Sequence, residues 1–362
     1  MIAETKRRRA VDLDPAQDVG GGFLSGVRGK FYGNNFLVLI TFGLLIVIYV
    51  VGSVVFRSQN FGSLNAMIAM VHSYPHLVVI AAGMTMVLIS GNIDISVGGQ
   101  CALYCMMFAY FMQNHNVNFY VMIVVVLASG LLFGLVQGAL VAYFKIQPFI
   151  VTLIGMFFAR GLTATISTNP IAITNADFMA FGQTKFTIPF GGFTNAAGVY
   201  QAPFLYLYGV LALLAVVVVY VIMTWTAFGR SVYAVGGSQQ SAMLMGLNPK
   251  RVTLMVFVFQ GLLTAFGGFL FCLSAPGGAV EKAQGFEMNA IAAAVIGGAL
   301  LTGGVGNILG SLAGVFVLLT ITKLISNIGT LSQGWGPIIT ATMMAFFIMM
   351  QSILTGLRRK RE

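Results

Sequence analysis

Charged residues are scarce in this chain. They make up 8% of its 362 residues, against roughly 25% in an ordinary soluble domain, and the mean hydropathy is +0.92. The charges are also unevenly placed, since ten lie in residues 1–35 and five in residues 358–362. A soluble enzyme, a disordered chain and a nucleic-acid binder are excluded in spite of the net charge of +10, and the composition indicates a polytopic membrane protein.

Residues that bind metals or nucleotides are equally sparse. The three cysteines, Cys101, Cys105 and Cys272, lie in apolar runs without a neighbouring His or carboxylate, so we expect small core residues rather than metal ligands or disulfides. No G-x-x-x-x-G-K-[ST] phosphate loop occurs. The chain is therefore expected to bind no cofactor itself, and ATP-driven transport would need ATP and Mg²⁺ on a separate subunit.

Long apolar runs fill the rest of the sequence. A spanning helix needs about 20 mainly apolar residues, and a backbone inside lipid must satisfy its own hydrogen bonds. The runs are continuous rather than alternating, which favours helices over barrel strands. We therefore predict an all-α polytopic fold with ten transmembrane segments: 36–56, 66–90, 97–113, 119–143, 149–168, 205–226, 253–274, 287–302, 307–329 and 335–355.

The basic residues predict the orientation. With both termini in the cytoplasm, fourteen Lys and Arg fall on the inner side and three, Arg57, Lys185 and Lys282, fall on the outer side. Residues 1–35 are then a flexible cytoplasmic extension, 36–357 the membrane domain and 358–362 a basic cytoplasmic tail.

Two loops stand out in this topology. Residues 169–204 form the longest outer loop and are rich in turn residues. The main inner loop, 227–252, contains a predicted short helix over 239–247, which is too short to span a bilayer and suits docking to a partner. The candidate docking residues are Ser238, Gln239, Ser241, Ala242, Met243, Met245, Gly246, Leu247 and Asn248.

A faint internal repeat relates the two halves of the chain. A shift of 206 residues lays 89–98 on 295–304, with two glycines identical, and both copies interrupt paired short spans. Transporters built from repeats often break helices at such points, where freed backbone groups line a polar cavity. The candidate structural or gating residues are Gly91, Asn92, Asp94, Ser96, Gly98, Gly297, Gly298, Gly303 and Gly304.

Asp94 is the most informative single residue. A carboxylate at membrane depth is costly and usually faces protein or water. It could serve as a substrate or proton site, or it could cap the helix that begins near Ser96. We favour the cap, because the topology places Asp94 near the cytoplasmic end of its segment.

Glycines at four-residue spacing indicate close helix packing. Such spacing lets two helix backbones approach each other. The two runs are Gly130, Gly134, Gly138 and Gly306, Gly310, Gly314. Lys323, within a predicted span, is expected to snorkel.

Four stretches resemble the permease subunits of bacterial ABC importers for monosaccharides, the ribose/galactose/galactofuranose group. They extend in order across most of residues 60–355. Asn92 and Ser238 depart from the Gly and Asn that are usual in the family, which leaves the sugar open. The stretches are GMT at 83–85 with SGNIDISVG at 90–98, QPFIVTL at 147–153 with ARG at 159–161, YAVGG at 233–237 with MGL at 245–247, and IGG at 296–298 with TGGVG at 302–306.

The resemblance implies a type II importer permease with ten spans in two pseudo-repeated halves, located in the inner membrane. It implies a second permease copy or a sister permease, a periplasmic sugar-binding protein, and a cytoplasmic ATPase that docks on the 238–248 helix. Transport would proceed by alternating access along a path at the interface between permeases. Residues at depths that suit a sugar are Phe149, Thr152, Arg160, Glu287 and Asn289.

Three other functions compete with this interpretation. An ion-coupled secondary transporter could use Asp94 or Glu287 as its coupling carboxylate. A branched-chain amino-acid ABC permease would share the architecture. An integral membrane enzyme would require His, Asp or Cys clustered at one depth, and the sequence does not show such a cluster.

Overall fold

The computed structural model describes residues 35–57, 60–189, 191–194, 200–328 and 334–359. The main compact unit of the chain is Leu37–Glu362. The predicted N-terminal extension lies almost wholly outside the described residues, as does the end of the predicted basic tail.

Helices account for most of the described chain. We number them α1 to α14 and the short strands β1 to β4. The helices are α1 Asn35–Val55, α2 Leu64–Ser73, α3 Pro75–Ile89, α4 Val97–Asn114, α5 Phe119–Ala142, α6 Pro148–Ile166, α7 Ala176–Gln183, α8 Leu207–Trp225, α9 Ala227–Gly237, α10 Gln239–Leu244, α11 Pro249–Ser274, α12 Phe286–Ile296, α13 Ile308–Ile328 and α14 Trp335–Arg359.

The all-α polytopic fold is confirmed, and each predicted span has a helical counterpart. Among the described residues, seven helices (α1, α5, α6, α8, α11, α13 and α14) are long and apolar enough to cross a membrane. The pair α2 and α3 is bent by 69° and gives an eighth crossing if it is one span. α4 and the eleven-residue α12 do not meet this standard, so ten crossings stay a prediction.

The bend between α2 and α3 follows from the local sequence. Ser63 starts α2 by accepting a hydrogen bond from the N–H of Ala66 at 3.2 Å. Pro75 then opens α3 at its first position, where a missing N–H is tolerated, and it disfavours helical geometry at the preceding Tyr74. One predicted segment therefore becomes two helices.

The predicted outer loop 169–204 carries its own small structures. Asn175 caps α7 by accepting from the N–H of Phe178 at 3.0 Å. β1 (Lys185–Thr187) pairs with β4 (Phe204–Tyr206), and β2 (Phe193–Thr194) pairs with β3 (Tyr200–Gln201), both antiparallel. A bridge between Ile171 and Gly278 ties this loop to the one that follows α11.

The core is centred on α3, whose fifteen residues are all buried. α11 and α13 pack beside it and are each 67% buried within their apolar windows, whereas α1 and α14 are 11% buried and lie at the periphery. The most hydrophobic helix, α1, is thus one of the most exposed, as expected when lipid rather than protein covers it.

Glycines set the distance between α5 and α11. A methyl group at Gly130 would lie 2.4 Å from the Cβ of Ala265, and one at Gly134 would lie 2.3 Å from the carbonyl oxygen of Phe257. At Gly138 the nearest atom is the Leu254 carbonyl oxygen, at 3.0 Å. The helices can approach this closely only because these positions lack side chains.

The second glycine run has the same role between α12 and α13. A methyl group at Gly310 would lie 2.1 Å from the carbonyl oxygen of Gly297, and one at Gly314 would lie 2.1 Å from that of Ala293. Gly306 instead faces the side chain of Ile89, at 2.6 Å, and so belongs to the contact between the two halves.

Candidate coupling site and transport path

The segment predicted as the main inner loop, 227–252, is largely helical. α9 fills its first eleven residues, α10 lies in its middle, and α11 begins at Pro249. Thr226 caps α9 by accepting from the N–H of Gly229 at 3.2 Å. α9 was not predicted from the sequence, because its apolar residues continue those of the preceding span.

α10 ends earlier than predicted. Ser238 caps it by accepting from the N–H of Ser241 at 3.2 Å, but the helix stops at Leu244 rather than at residue 247. Gly246, with φ of +81°, closes the helix. Asn248 is not part of α10, since it caps α11 by accepting from the N–H of Arg251 at 3.3 Å.

α10 presents an apolar surface to solvent. Ala242 is fully buried and fixes the helix to the bundle. Met243, Leu244 and Met245 are 56%, 86% and 66% exposed. We call these three side chains the α10 patch. Neighbouring exposed apolar side chains on a polar segment are typical of a protein interaction site.

Behind α10, three distant chain segments meet through their backbones. The N–H of Gly304 donates to the carbonyl of Ile89 at 2.8 Å. A methyl group at Gly236 would lie 1.7 Å from that same carbonyl oxygen, and one at Gly303 would lie 2.8 Å from the Cα of Gly91 and from the Gly236 carbonyl oxygen. We call this contact of Ile89, Gly91, Gly236, Gly303 and Gly304 the glycine junction.

A side chain from α9 strengthens the junction. The hydroxyl of Tyr233 donates to the carbonyl of Gly306 at 3.0 Å. Burial raises the pKa of Tyr233 above its ordinary value, so the phenol stays protonated and keeps its donor. α9, which leads directly into α10, is therefore held to the segment that precedes α13.

The helices that precede the two interruptions, α3 and α12, end in the same type of cap. Both α3 and α12 close with a left-handed glycine, Gly91 (φ +77°) and Gly298 (φ +95°). In each case the glycine N–H and the next N–H turn back to the last helical turn, which is the Schellman arrangement. The four bonds are Gly91 to Leu88 (2.9 Å), Asn92 to Val87 (3.1 Å), Gly298 to Val295 (3.0 Å) and Ala299 to Ala294 (3.0 Å).

These caps correct the register of the internal repeat. Gly91 corresponds in structure to Gly298, a shift of 207 residues, whereas the sequence alignment paired Gly91 with Gly297. Gly297 is instead the last residue before the left-handed turn. Gly297 and Gly298 are adjacent, and residue type alone does not show which of them has the positive φ. The sequence match therefore paired Gly91 with the wrong one.

Asp94 lies in a buried polar network at the start of α4. Its carboxylate is 1% exposed and accepts from the N–H of Ser96 at 2.9 Å and from the hydroxyl of Ser96 at 2.5 Å. Gln100 donates to the Ser96 hydroxyl at 2.7 Å, and Tyr104 donates to Gln100 at 2.9 Å. Ser96 is the N-cap residue of α4, and its own side chain makes no capping bond. Asp94 thus bonds the N-cap residue rather than the free N–H groups of the first turn, and its capping role stays a prediction. The four-residue spacing of Ser96, Gln100 and Tyr104 was the sequence signal for the rest of the network.

Asn92 also turns inward at this interruption. Its side-chain amide donates to the hydroxyl of Ser90 at 2.8 Å and to the carbonyl of Ser90 at 3.2 Å. The residue that departs from the family pattern is therefore engaged in closing the cap of α3.

Glu287 and Arg160 make different contacts. The Oε2 atom of Glu287 is buried without a hydrogen-bond partner, and a methyl group at Gly98 would lie 2.1 Å from it. Arg160 donates to the carbonyls of Val280 at 2.8 Å and Lys282 at 3.2 Å. Both bonds tie Arg160 to the backbone of the loop between α11 and α12.

The remaining path candidates differ in exposure. Phe149 is 52% exposed on the surface of α6, whereas Thr152 is fully buried and donates to the carbonyl of Pro148 at 2.9 Å. Asn289 is partly buried on α12.

The comparison with known proteins identifies the family. The family described as "Branched-chain amino acid transport system / permease component" matches residues 66–350. The chain belongs to this permease family. The match confirms that the chain is a multi-pass transport protein. The relatives described next confirm its resemblance to the permease subunits of bacterial monosaccharide ABC importers. No solved structure matches the chain.

Several curated relatives match over most of their length. The inner membrane ABC transporter permease protein YjfF of Escherichia coli is 34% identical over 91% of this chain and 95% of its own. The fructose import permease protein FruG of Bifidobacterium longum is 32% identical over 77% and 80%. The galactose/methyl galactoside import permease protein MglC of Escherichia coli is 29% identical over 86% and 94%.

Proposed function

We propose that this permease is the membrane subunit of an ATP-driven monosaccharide importer and passes its sugar from the periplasm to the cytoplasm. The observation that carries the proposal is the glycine junction. It connects the segment bearing the α10 patch to the interruptions of both halves. An ATPase docked at α10 would need such a contact to move both halves of the permease.

A cytoplasmic ATPase subunit is the proposed partner of the α10 patch. The excess of Lys and Arg on the side that contains residues 227–252 favours a cytoplasmic location for α10 and for both termini. The ATPase would bind ATP and Mg²⁺, since this chain has no phosphate loop. The complex would lie in the bacterial inner membrane.

A second permease, either another copy or a sister chain, would complete the transport path. α6 is the proposed contact, because it carries the path candidates Phe149 and Arg160 and exposes a row of large apolar side chains. Ile154, Phe157 and Phe158 on this helix are 63%, 64% and 58% exposed.

Monosaccharides are favoured over branched-chain amino acids as the substrate. The relatives described above include permeases named for fructose and for galactose or methyl galactoside import. A periplasmic sugar-binding protein would supply affinity and deliver the sugar. The permease itself should hold the sugar weakly, because a tight site on the path would trap it.

The proposed mechanism is alternating access. ATP binding and hydrolysis would move the ATPase, and the α10 patch would follow it. Since Gly236 contacts Ile89 and Gly304 through backbone atoms alone, a shift of α9 and α10 would reach the ends of α3 and of the 297–307 segment without being absorbed by flexible side chains.

Reconstitution with and without partners tests the proposal. Proteoliposomes that contain this chain, its ATPase and its binding protein should accumulate labelled sugar when ATP is supplied. An ATPase variant that binds but does not hydrolyse ATP is the control. Uptake that survives ATP removal and collapses with an uncoupler would instead support an ion-coupled transporter, as would uphill transport by this chain alone.

A further inference from the structure

A cavity of about 370 Å³ lies far from the glycine junction. It is open on one side and is lined by the bend between α2 and α3, the end of α11, the start of α12 and the last turns of α13. Tyr74 and Ile89 lie at opposite ends of α3, about 20 Å apart along the helix. In the proposed orientation the cavity therefore belongs to the periplasmic half of the bundle.

Lys323 gives this cavity a positive charge. It lines the cavity near the end of α13, and no carboxylate lines it among the residues that the structure describes. Snorkelling explains how a lysine can be accommodated in a span, but not why hydroxyl groups surround it. The ammonium group supplies up to three hydrogen-bond donors to an occupant.

Three of the five hydroxyl groups that line the cavity present acceptors rather than donors. Ser274 donates its proton to the carbonyl of Phe271 (3.0 Å), Thr322 to that of Leu318 (2.9 Å), and Ser326 to that of Thr322 (3.0 Å). A hydroxyl has one proton and two lone pairs. With these three protons engaged by the helix backbone, Ser274, Thr322 and Ser326 offer oxygen lone pairs and Lys323 offers an ammonium group, while the hydroxyls of Ser73 and Tyr74 also line the cavity.

An aromatic cluster forms one wall of the cavity. The ring of His76 stacks on Phe286 at 4.2 Å and meets the edge of Phe271 at 4.6 Å. His76 is 3% exposed, and its Nδ1 atom has no hydrogen-bond partner. A buried polar atom usually has a hydrogen-bond partner, so this nitrogen is free to bond to an occupant of the cavity.

We propose that this cavity binds a neutral polyhydroxylated solute of monosaccharide size. A sugar hydroxyl can donate to the Ser and Thr oxygens and accept from Lys323, whereas an ionised phosphate or carboxylate could pair with Lys323 but has no proton to donate to those oxygens. The volume falls within the ~300–1,000 Å³ that small-molecule pockets usually have. The site lies within one permease chain and is separate from Phe149, Thr152 and Glu287, so it would hold the solute before the path between two chains opens.

This inference rests on the proposed function for the identity of the solute, and cysteine protection tests it. Ser326→Cys would be placed in the full importer in right-side-out vesicles and labelled from outside with a charged, membrane-impermeant thiol reagent. Cys101, Cys105 and Cys272 are all fully buried, so labelling should report the new thiol. Thr168→Cys, at an exposed position next to the predicted outer loop, is the matched control.

Fructose, galactose and ribose are the probes, and leucine is the amino-acid comparison. The transported sugar should slow labelling of Ser326→Cys about tenfold when it is present at about ten times its dissociation constant, with labelling of Thr168→Cys unchanged. Adding Lys323→Met should abolish the protection, whereas adding Lys185→Met, an exposed lysine elsewhere, should preserve it.

Two results would overturn the inference. One is ATP-driven sugar uptake in vesicles where no sugar protects Ser326→Cys, which leaves the proposed function intact and removes this site. The other is protection by anionic phospholipid but not by any sugar, which would make the cavity a lipid headgroup site. Absence of uptake for all three sugars would instead count against the proposed function itself.

Discussion

The backbone N–H of Gly304 donates to the carbonyl of Ile89 at 2.8 Å, although the two residues belong to opposite halves of the chain. Gly236, from the segment between the halves, lies against both of them. Three regions that the sequence separates by long spans are therefore joined at one point by atoms of the main chain.

An alanine at Gly236 in the glycine junction should impair transport, whereas an alanine at the neighbouring Gly237 should be tolerated. Gly236→Ala would place a methyl group 1.7 Å from the Ile89 carbonyl oxygen, whereas Gly237→Ala would meet nothing within 4 Å. Overpacking of this kind costs about 1–3 kcal/mol. We expect Gly236→Ala to lose most ATP-driven uptake and Gly237→Ala to retain it, measured in vesicles with matched permease levels. Equal activity of the two variants would remove the junction from the coupling route.

The helices were predictable because their signal is a long continuous apolar run, which is strong for spans such as α8 and α13. The bend at Tyr74 and the early end of α10 were not, because each depends on one or two residues whose backbone geometry the apolar pattern does not encode. The junction itself could not be predicted, since glycines at 91, 236 and 303 share no spacing and meet only through the tertiary fold.

Some of the candidate site residues could also be predicted from the sequence, and others could not. Asp94 was recognisable because a carboxylate in an apolar run is rare, and its Ser96 partner lies two residues away. The path candidates were chosen by residue type and depth, and those criteria do not give the direction of a side chain. Thr152 was therefore chosen although its side chain is fully buried. The cavity beside Lys323 was not predicted, because its lining comes from four separate segments.

The conformation of Gly246 gives a second prediction. Its φ of +81° costs a β-branched residue at least about 1–2 kcal/mol, whereas Asn adopts this conformation more readily. Gly246→Asn should keep most uptake. Gly246→Asp has a similar shape but sets a charge beside the α10 patch, so it should abolish uptake while the protein remains in the membrane.

Co-purification separates docking from folding for these variants. The Asn and Asp forms should be present in the membrane at equal levels, and only the Asp form should fail to retain the ATPase. Full transport by Gly246→Asp would remove α10 as the docking element.

Packing of α5 on α11 gives a prediction about stability. Gly134→Ala would bring a methyl group to 2.3 Å from the Phe257 carbonyl oxygen, but Gly43→Ala on the peripheral α1 would meet nothing within 4 Å. Gly134→Ala should lower the thermal unfolding midpoint in detergent by several degrees, and Gly43→Ala should leave it within error. An unchanged midpoint for Gly134→Ala would mean that α5 and α11 can separate at little cost.

Asp94 distinguishes a capping role from ion coupling. The carboxylate accepts two hydrogen bonds from Ser96, one from its N–H and one from its hydroxyl. Asp94→Asn keeps a carbonyl oxygen that can accept them. Asp94→Ala leaves the Ser96 N–H buried without a partner, at a cost of about 1–3 kcal/mol, and leaves the Ser96 hydroxyl only its longer bond to Gln137 Oε1 at 3.4 Å. We therefore expect Asp94→Asn to retain ATP-driven uptake and Asp94→Ala to lower both the membrane level and the unfolding midpoint.

A proton- or sodium-coupled transporter predicts the opposite order, because charge rather than hydrogen bonding would be the essential property. Asp94→Asn would then stop uptake while leaving the protein as stable as the native chain. Measuring uptake and the unfolding midpoint on the same two preparations decides between the roles. The buried carboxylate either holds the start of α4 in place, or it carries an ion across the membrane.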